Sequence, residues 1–163
     1  MRKLLIVIAT ITSLIAPWLV VKRMDQTANL TLNCVVPFTI NSQKTNSMLM
    51  NGMIKSHYYS NGSGIGILSG NMHYRSKDSN ATTSYSLHRN IRFTYQQSHS
   101  YVTTHTQEMH PAFGESIPEN LADEYIFPSF KKGFNDYYQI HKMANGDMMV
   151  SVANMPRLYC HVN

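Results

Sequence analysis

Hydrophobic and polar residues alternate through most of the chain beyond its first thirty positions. Alternation with a period of two places successive side chains on opposite faces of a β-strand, and turn residues interrupt the pattern at intervals. The pattern predicts eight strands, at residues 30–40, 47–59, 64–75, 82–96, 99–108, 136–144, 147–153 and 156–162. Such a succession of short strands predicts a mainly β fold, an antiparallel β-barrel or sandwich of lipocalin-like size.

Two of the predicted strands indicate which side chains would face the interior. In SYSLHRNIRFTYQQ and DMMVSV, apolar residues recur in phase, so we expect an apolar interior that includes Tyr85, Leu87, Ile91, Phe93, Tyr95, Met148, Val150 and Val152. Arg89 interrupts the first face and predicts a bulge or turn at residues 88–90. Asn145-Gly146 predicts a type I′ hairpin turn. The interior is either filled by side chains or holds one small apolar ligand, and eleven methionines suit either arrangement.

Helical patterning is clear beyond the N-terminal segment only in GESIPENLADEYIF, where Ser116 and Glu119 form an S-x-x-E capping box. Four acidic residues gather in this stretch. One interpretation is an acidic docking surface for a partner, and the other is a solvated helix face with acids near its positive end. The candidate contact residues are Glu115, Glu119, Asp123 and Glu124.

The N-terminal stretch MRKLLIVIATITSLIAPWLVVKR contains eighteen uncharged residues, from Leu4 to Val21. An apolar helix of about 20 residues crosses the hydrocarbon core, so the stretch predicts a transmembrane helix at residues 4–21. Residues 1–3 would be cytoplasmic, 22–29 a juxtamembrane linker, and 30–163 a periplasmic β domain. A cleaved signal peptide is the alternative, but cleavage after Ala16 would set Leu14 at a position that favours a small residue.

The net charge of +5 does not indicate a nucleic-acid-binding surface. Four of the fourteen basic residues flank the apolar stretch, and the rest of the chain carries ten basic against nine acidic residues. A nearly neutral domain lacks the basic stripe that neutralises phosphates. We therefore expect contact with a lipid bilayer and no direct binding to nucleic acid.

The two cysteines lie near the two ends of the predicted β domain. Cys34 and Cys160 each fall on the apolar face of a predicted strand, and an oxidising compartment such as the periplasm would permit a bridge between them. A loop of that length would stabilise the fold by roughly 4 to 5 kcal/mol in the chain-entropy model. Two buried free thiols are the alternative.

No motif in the sequence indicates catalysis, a cofactor or a metal. Glycines at 62, 64, 66 and 70 lack the strand-loop-helix context of a phosphate loop and predict glycine bulges in a bent strand. His99 and His105 would lie too far apart along a strand to share one metal. A hydrolase assembled from scattered Ser, His and Asp residues is a remaining alternative.

A short basic N-terminus, a membrane span beginning MRKLLIVIATI and a β domain with cysteines near both ends resemble the layout of the FidL-like membrane proteins of enteric bacteria. These proteins are similar in organisation to ToxS-type proteins. The resemblance implies a non-enzymatic partner that binds and stabilises the periplasmic domain of a membrane-bound winged-helix transcription regulator, as a heterodimer at the inner membrane. It also implies a small apolar signal such as a bile salt. The alternative is a stand-alone, membrane-anchored periplasmic binding protein for a lipid or other small molecule.

Overall fold

Eight antiparallel strands follow one another around a closed barrel in a computed structural model that describes residues 11–21, 30–43, 46–78 and 81–162. Each strand pairs with the next along the chain, and β8 returns to pair with β1. The strands are β1 Leu32–Gln43, β2 Ser47–Tyr58, β3 Ser63–Arg75, β4 Thr83–Ser98, β5 Tyr101–Pro111, β6 Asn135–Lys142, β7 Met148–Val152 and β8 Met155–Val162. The mainly β, lipocalin-like barrel predicted from the sequence is confirmed, and it closes within one chain.

The strand ladders are long in the first half of the barrel and short in the second. Each of the three ladders from β1 to β4 contains twelve residue pairs. The ladders β5–β6, β6–β7 and β7–β8 contain five, four and five pairs. Among the described residues, the closing ladder between β1 and β8 contains two pairs, Cys34–Val162 and Val35–His161. The barrel is therefore closed by its shortest ladder, which we call the seam.

The apolar faces of the strands line the interior, as the alternation requires. The predicted interior residues Leu87, Ile91, Phe93 and Tyr95 are buried, while Tyr85, Met148, Val150 and Val152 are partly buried and pack against the core. Three methionines are almost fully enclosed, at positions 48, 50 and 72. Unbranched methionine side chains fill an irregular space without strain, so in this part of the barrel they are core residues.

Two short helices connect β5 to β6 and cover one end of the barrel. They are α2, Glu119–Tyr125, and a 3-10 helix, Pro128–Phe130; the described residues 11–21 belong to helix α1. Phe127 packs edge-on against Phe38 of β1 with 5.0 Å between ring centroids. The predicted capping box is wrong, because Pro118 is the N-cap and makes no side-chain hydrogen bond. The Ser116 hydroxyl instead accepts a hydrogen bond from the Ser86 backbone N–H.

Two turns differ from the sequence prediction. Asn145-Gly146 lies in a longer loop between Lys142 and Met148, where only the glycine has a positive φ of 92°. The two-residue turn with two positive φ values, which defines type I′, is Ala153-Asn154 between β7 and β8. The Asn-Gly signal therefore located the hairpin correctly but assigned it the wrong turn, since the loop also accommodates the side chain of Asp147.

The predicted bulges are also displaced. β4 runs without interruption through Arg89, and its register shift lies at Arg92/Phe93 against β5. No register shift occurs in the ladders on either side of β3. The glycines of β3 instead make room for large neighbours: a Cβ at Gly64 would lie 2.3 Å from the Phe93 ring, and one at Gly66 would lie 2.7 Å from the Ile91 side chain.

The predicted transmembrane helix falls partly outside the described residues. Residues 11–21 are helical, whereas residues 1–10 and the predicted linker at 22–29 lie outside the described part. In the part of the chain that the structure does describe, no helix is both long enough and apolar enough to cross a membrane.

Candidate functional site

The lumen of the barrel contains a cavity of about 140 Å³. Every strand except β3 contributes to its wall, and the 3-10 helix bounds one side. Its apolar lining comes from Cys34, Val36, Ile54, Ile91, Phe93, Phe130, Val150, Val152 and Leu158. An engineered cavity of about 150 Å³ with apolar walls holds a benzene molecule, whereas drug-sized ligands occupy roughly 300 to 1,000 Å³. The cavity therefore has the size of a single aromatic ring.

Polar groups from several strands also line this cavity. The hydroxyls of Tyr58 and Tyr138 lie 2.6 Å apart across the lumen, although 80 positions separate the two residues in sequence. The side chain of Thr104 is a further hydrogen-bonding partner of Tyr138. Asp136 and Arg157 also line the cavity, and Arg157 is exposed to solvent. A ligand with an apolar body and one hydrogen-bonding group would match this combination of apolar and polar lining residues.

Both tyrosines of this pair are held in the neutral form. Burial, which disfavours the phenolate, raises the pKa of Tyr58 to about 12, while the hydrogen bond to Tyr138 lowers it and the Asp136 charge raises it. Burial likewise raises the pKa of Tyr138, and the neighbouring Tyr58 raises it further. Two neutral hydroxyls provide one more donor than their mutual hydrogen bond uses, so the pair can donate to a ligand.

A disulfide bond between Cys34 and Cys160 lies beside the cavity and confirms the predicted bridge. The two Cα atoms are 5.3 Å apart, within the usual range for a disulfide. Cys160 is fully buried and Cys34 is 8% exposed. Because Cys34 also belongs to one of the two pairs of the closing ladder, the bridge joins β1 to β8 at the seam.

A polar cluster around Asp147 lies at the same end of β8. The carboxylate accepts hydrogen bonds from the Tyr159 hydroxyl and the Asn145 amide (2.8 Å), and from the backbone N–H of Val162 (3.2 Å). Its other contact is with Nδ1 of His161 at 2.9 Å. The hydrogen bond from Tyr159 contributes most to lowering the pKa of Asp147, followed by that from the Val162 N–H, and His161 lowers it further. The cluster ties the β6–β7 loop to the last residues of β8, where the barrel closes.

Arg89 is buried and forms the centre of a second polar cluster. Its guanidinium lies 2.9 Å from the Glu115 carboxylate and 3.1 Å from that of Glu119. Glu115 also accepts a hydrogen bond from the backbone N–H of His88 at 3.1 Å. Arg89 thus lies on the inward face because two carboxylates neutralise it there, whereas the sequence pattern alone suggested an irregular strand.

The four predicted contact residues therefore occupy different environments. The Glu115 side chain is 6% exposed and belongs to the Arg89 cluster, so it presents little surface to a partner. Glu119 is 63% exposed although it contacts the same arginine. Asp123 and Glu124 are exposed on α2.

No metal centre emerges from the described residues, since no group of three His, Cys, Asp or Glu side chains lies close enough to bind an ion. His99 occupies the turn between β4 and β5, with a positive φ of 55°, and His105 contacts Asn135 through Nδ1 at 2.7 Å. The two histidines are separate surface residues in the structure.

Sequence reasoning missed the polar residues that line the cavity, among them Thr104 and Thr106. The signal was present in YVTTHT, where Val102, Thr104 and Thr106 alternate with exposed residues. The predicted histidine pattern at His99 and His105 belongs to the outer face of this strand, opposite Thr104 and Thr106. The approach of Tyr58 to Tyr138 depends on barrel closure and has no local sequence signal.

Comparison of the chain with protein-family models and with curated proteins gives no match. The resemblance to FidL-like proteins therefore stays a prediction.

Proposed function

We propose that this chain is a non-enzymatic regulatory partner of a membrane-bound winged-helix transcription regulator. In this proposal residues 4–21 anchor it in the bacterial inner membrane, and the barrel in the periplasm binds and stabilises the periplasmic domain of the regulator. The observation that supports the proposal best is the position of the apolar cavity directly beside the short seam.

The cavity and the seam share the same two strands. Cys34 and Val36 of β1 line one side of the cavity, and Arg157 and Leu158 of β8 line another. A molecule in the cavity would contact both strands, so it would favour the closed seam by the difference between its affinities for the closed and open states. Beyond Val35, β1 has no described ladder partner in β8, and such an edge is suited to strand addition by another protein.

The size of the cavity limits the size of the signal molecule that we propose. A drug-sized ligand such as a bile salt needs roughly 300 Å³ or more, about twice the volume available in a single chain. We therefore propose a molecule of about one aromatic ring with a single hydrogen-bonding group. A bile salt would require the lumen to widen on assembly with the regulator.

Crosslinking in intact membranes tests the partner proposal. A tagged full-length chain is crosslinked and purified, and mass spectrometry identifies the captured proteins. We expect a winged-helix regulator with one membrane span, and we expect Cys34→Ser with Cys160→Ser to abolish its recovery because the seam loses its bridge. If the folded, stable chain captures no regulator under several growth conditions, the partner proposal is wrong.

Closure of the barrel within one chain favours a second candidate function, a stand-alone binding protein for a small apolar molecule. A second chain is not needed to complete the lumen. This candidate predicts that the purified chain alone binds a one-ring compound such as phenol, while crosslinking captures no regulator. Binding that appears only in the presence of the regulator would contradict it.

A further inference from the structure

The turn between β5 and α2 exposes a complete phenylalanine side chain. Phe113 has a relative exposure of 105%, the largest among the exposed large hydrophobic residues of the described chain. Burying such a side chain removes about 150 to 250 Å² from water, so leaving it in solvent forgoes a substantial stabilisation. Single exposed apolar residues are common, but complete exposure of a large aromatic ring is not explained by packing of this fold.

The turn that carries Phe113 is firmly held on both sides. Residues 112–115 form a β-turn, in which the Glu115 N–H donates to the Ala112 carbonyl at 3.2 Å and Gly114 has a φ of 90°. Positive φ at the third position matches a type II turn. Phe113 occupies the second position, for which proline is a common choice and an exposed phenylalanine offers the turn no advantage.

Hydrogen bonds attach this turn to β4. The Ala112 N–H donates to the His88 carbonyl at 2.7 Å, and the Ser116 N–H donates to the Ser86 carbonyl at 3.0 Å. Between these bonds, the Glu115 carboxylate pairs with the buried Arg89. Phe113 is therefore held outward by a fixed backbone. A turn whose backbone is already fixed loses little conformational entropy on binding, and large aromatic side chains are typical of interface hot spots.

The surroundings of Phe113 carry negative charge. Residues 108–125 contain five acidic residues and no lysine or arginine, although Glu108 lies 3.8 Å from Arg92 and Lys131 donates a hydrogen bond to the Asp123 carbonyl. Glu115 and Glu119 share a single guanidinium, so this corner retains a net negative charge, and Asp123 and Glu124 are exposed one turn further along α2. The complementary surface on a partner is an apolar pocket with lysine or arginine at its rim.

Strand direction places Phe113 at the opposite end of the barrel from the start of β1. The chain enters β1 at one end of the barrel, and β5, which runs in the same direction, ends just before Phe113 at the other end. The eleven residues of β5 rise roughly 33 Å along the strand, or about 25 Å along a barrel axis with the usual tilt. An anionic lipid surface would also repel the acidic corner. Both observations favour a protein over a bilayer as the occupant.

We propose that Phe113, together with the exposed acidic residues Asp123 and Glu124 of the following helix, is an anchor for a protein partner that presents a one-ring apolar pocket with a basic rim. This inference rests on the proposed function and specifies the surface that the regulator would contact. This inference assigns the main contact to Phe113, which lies outside α2 and outside the seam.

Photocrosslinking in the full-length, membrane-bound chain is the first test. The photoreactive residue p-benzoylphenylalanine replaces Phe113, and in control chains it replaces Tyr137, an exposed tyrosine on the side of the barrel, or Thr39 on β1 beyond the seam. We expect position 113 to crosslink one peptide of the regulator, with Lys or Arg beside apolar residues, and position 137 to crosslink none. Adducts from position 113 that contain only lipid or a second copy of this chain would overturn the proposal.

Affinity measurements complete the test with the full-length chain in detergent and the purified periplasmic domain of the captured regulator. We expect Phe113→Ala to weaken binding by about tenfold or more, since hot-spot truncation has effects of this size. Asp123→Lys with Glu124→Lys should also weaken binding several-fold, about as expected for rim charges. Tyr137→Ala, the matched control, should leave binding unchanged although it loses the ring contact with Tyr101 (5.5 Å between centroids), and all variants should remain folded.

The outcomes separate this inference from the proposed function. If position 39 crosslinks the regulator while position 113 does not, or if Phe113→Ala binds as tightly as the parent chain, the Phe113 surface is wrong and the partner proposal stands. If no position crosslinks a regulator and the tagged full-length chain captures none either, both fail. Crosslinking from position 113 together with an unchanged affinity of Phe113→Ala also overturns the anchor, because proximity alone does not make a hot spot.

Discussion

The two halves of the barrel are built differently. From β1 to β4, three ladders of twelve pairs each surround a packed core that includes Met48, Met50 and Met72, and β1, β2 and β4 also contribute residues to the cavity wall. From β5 to β8 the ladders contain four or five pairs, and all four of these strands line the cavity. The long half has many backbone hydrogen bonds and close packing, whereas the short half depends on a few specific links.

This difference indicates where the fold opens first. Local opening has the lowest free energy where few apolar contacts and few backbone hydrogen bonds must be broken. The seam meets both conditions, and the disulfide and the Asp147 cluster lie there. We infer that these links compensate for the short ladders. Changes in the short half should therefore affect closure, and changes in the long half should affect global stability.

The largest effect should follow removal of the disulfide. Cys34→Ser with Cys160→Ser should lower the free energy of unfolding by about 4 to 5 kcal/mol, because the bridge spans 126 positions and restricts the unfolded chain. Denaturant unfolding measures the loss. The reduced parent chain is the control and should unfold at the same denaturant concentration as the variant. A loss below about 1 kcal/mol would show that the short half closes without its bridge.

A comparable loss should follow disruption of the Arg89 cluster in the long half. Arg89→Met should lower the free energy of unfolding by about 3 to 5 kcal/mol, because it leaves the Glu115 carboxylate buried without its cation. Glu119→Gln is the matched control and should cost less than about 1 kcal/mol, since Glu119 is 63% exposed. Equal losses in the two variants would contradict the assignment of Glu115 as the buried partner.

Alkaline pH should weaken the contact between the two halves through the tyrosine pair, since Tyr58 lies at the end of β2 and Tyr138 lies on β6. The pKa of Tyr58 is raised from 10.0 to about 12, so the unfolded chain releases this proton at lower pH than the folded chain. The stabilisation is therefore present below pH 10 and is lost as the pH rises towards 12, by about 1.4 kcal/mol per pH unit for one tyrosine.

Urea unfolding at a series of pH values measures this loss. Tyr58→Phe with Tyr138→Phe is the control, and it should flatten the alkaline decrease because neither remaining ring ionises. A decrease of the same size in the double variant would assign the effect to other groups.

Sequence patterning predicted the eight strands because each depends on local alternation. The disulfide was also predictable, since both cysteines fall on apolar faces of strands at the two ends of the domain. The turn types were not predictable, because Asn145 also serves as a partner of Asp147 and Ala153-Asn154 adopts positive φ without a glycine. The cavity wall and the Arg89 cluster depend on contacts between distant strands. Local patterns do not encode such contacts.

The smallest effect, and the one that distinguishes the halves most directly, should come from a ligand in the cavity. Phenol has one ring and one hydroxyl, which suits a cavity of about 140 Å³ with the Tyr58 and Tyr138 hydroxyls on its wall. At a concentration of ten times its dissociation constant, it should stabilise the folded chain by about 1.4 kcal/mol.

Hydrogen exchange should locate this stabilisation in the short half. We expect slower exchange of amides in β7 and β8, which contribute Val150, Val152 and Leu158 to the cavity, and little change in β2 and β3 near Met50 and Met72. Val150→Phe, which places a ring in the cavity, is the matched control and should remove the response to phenol. Uniform slowing across all eight strands would show that the halves open together, and the distinction between them would then not extend to dynamics.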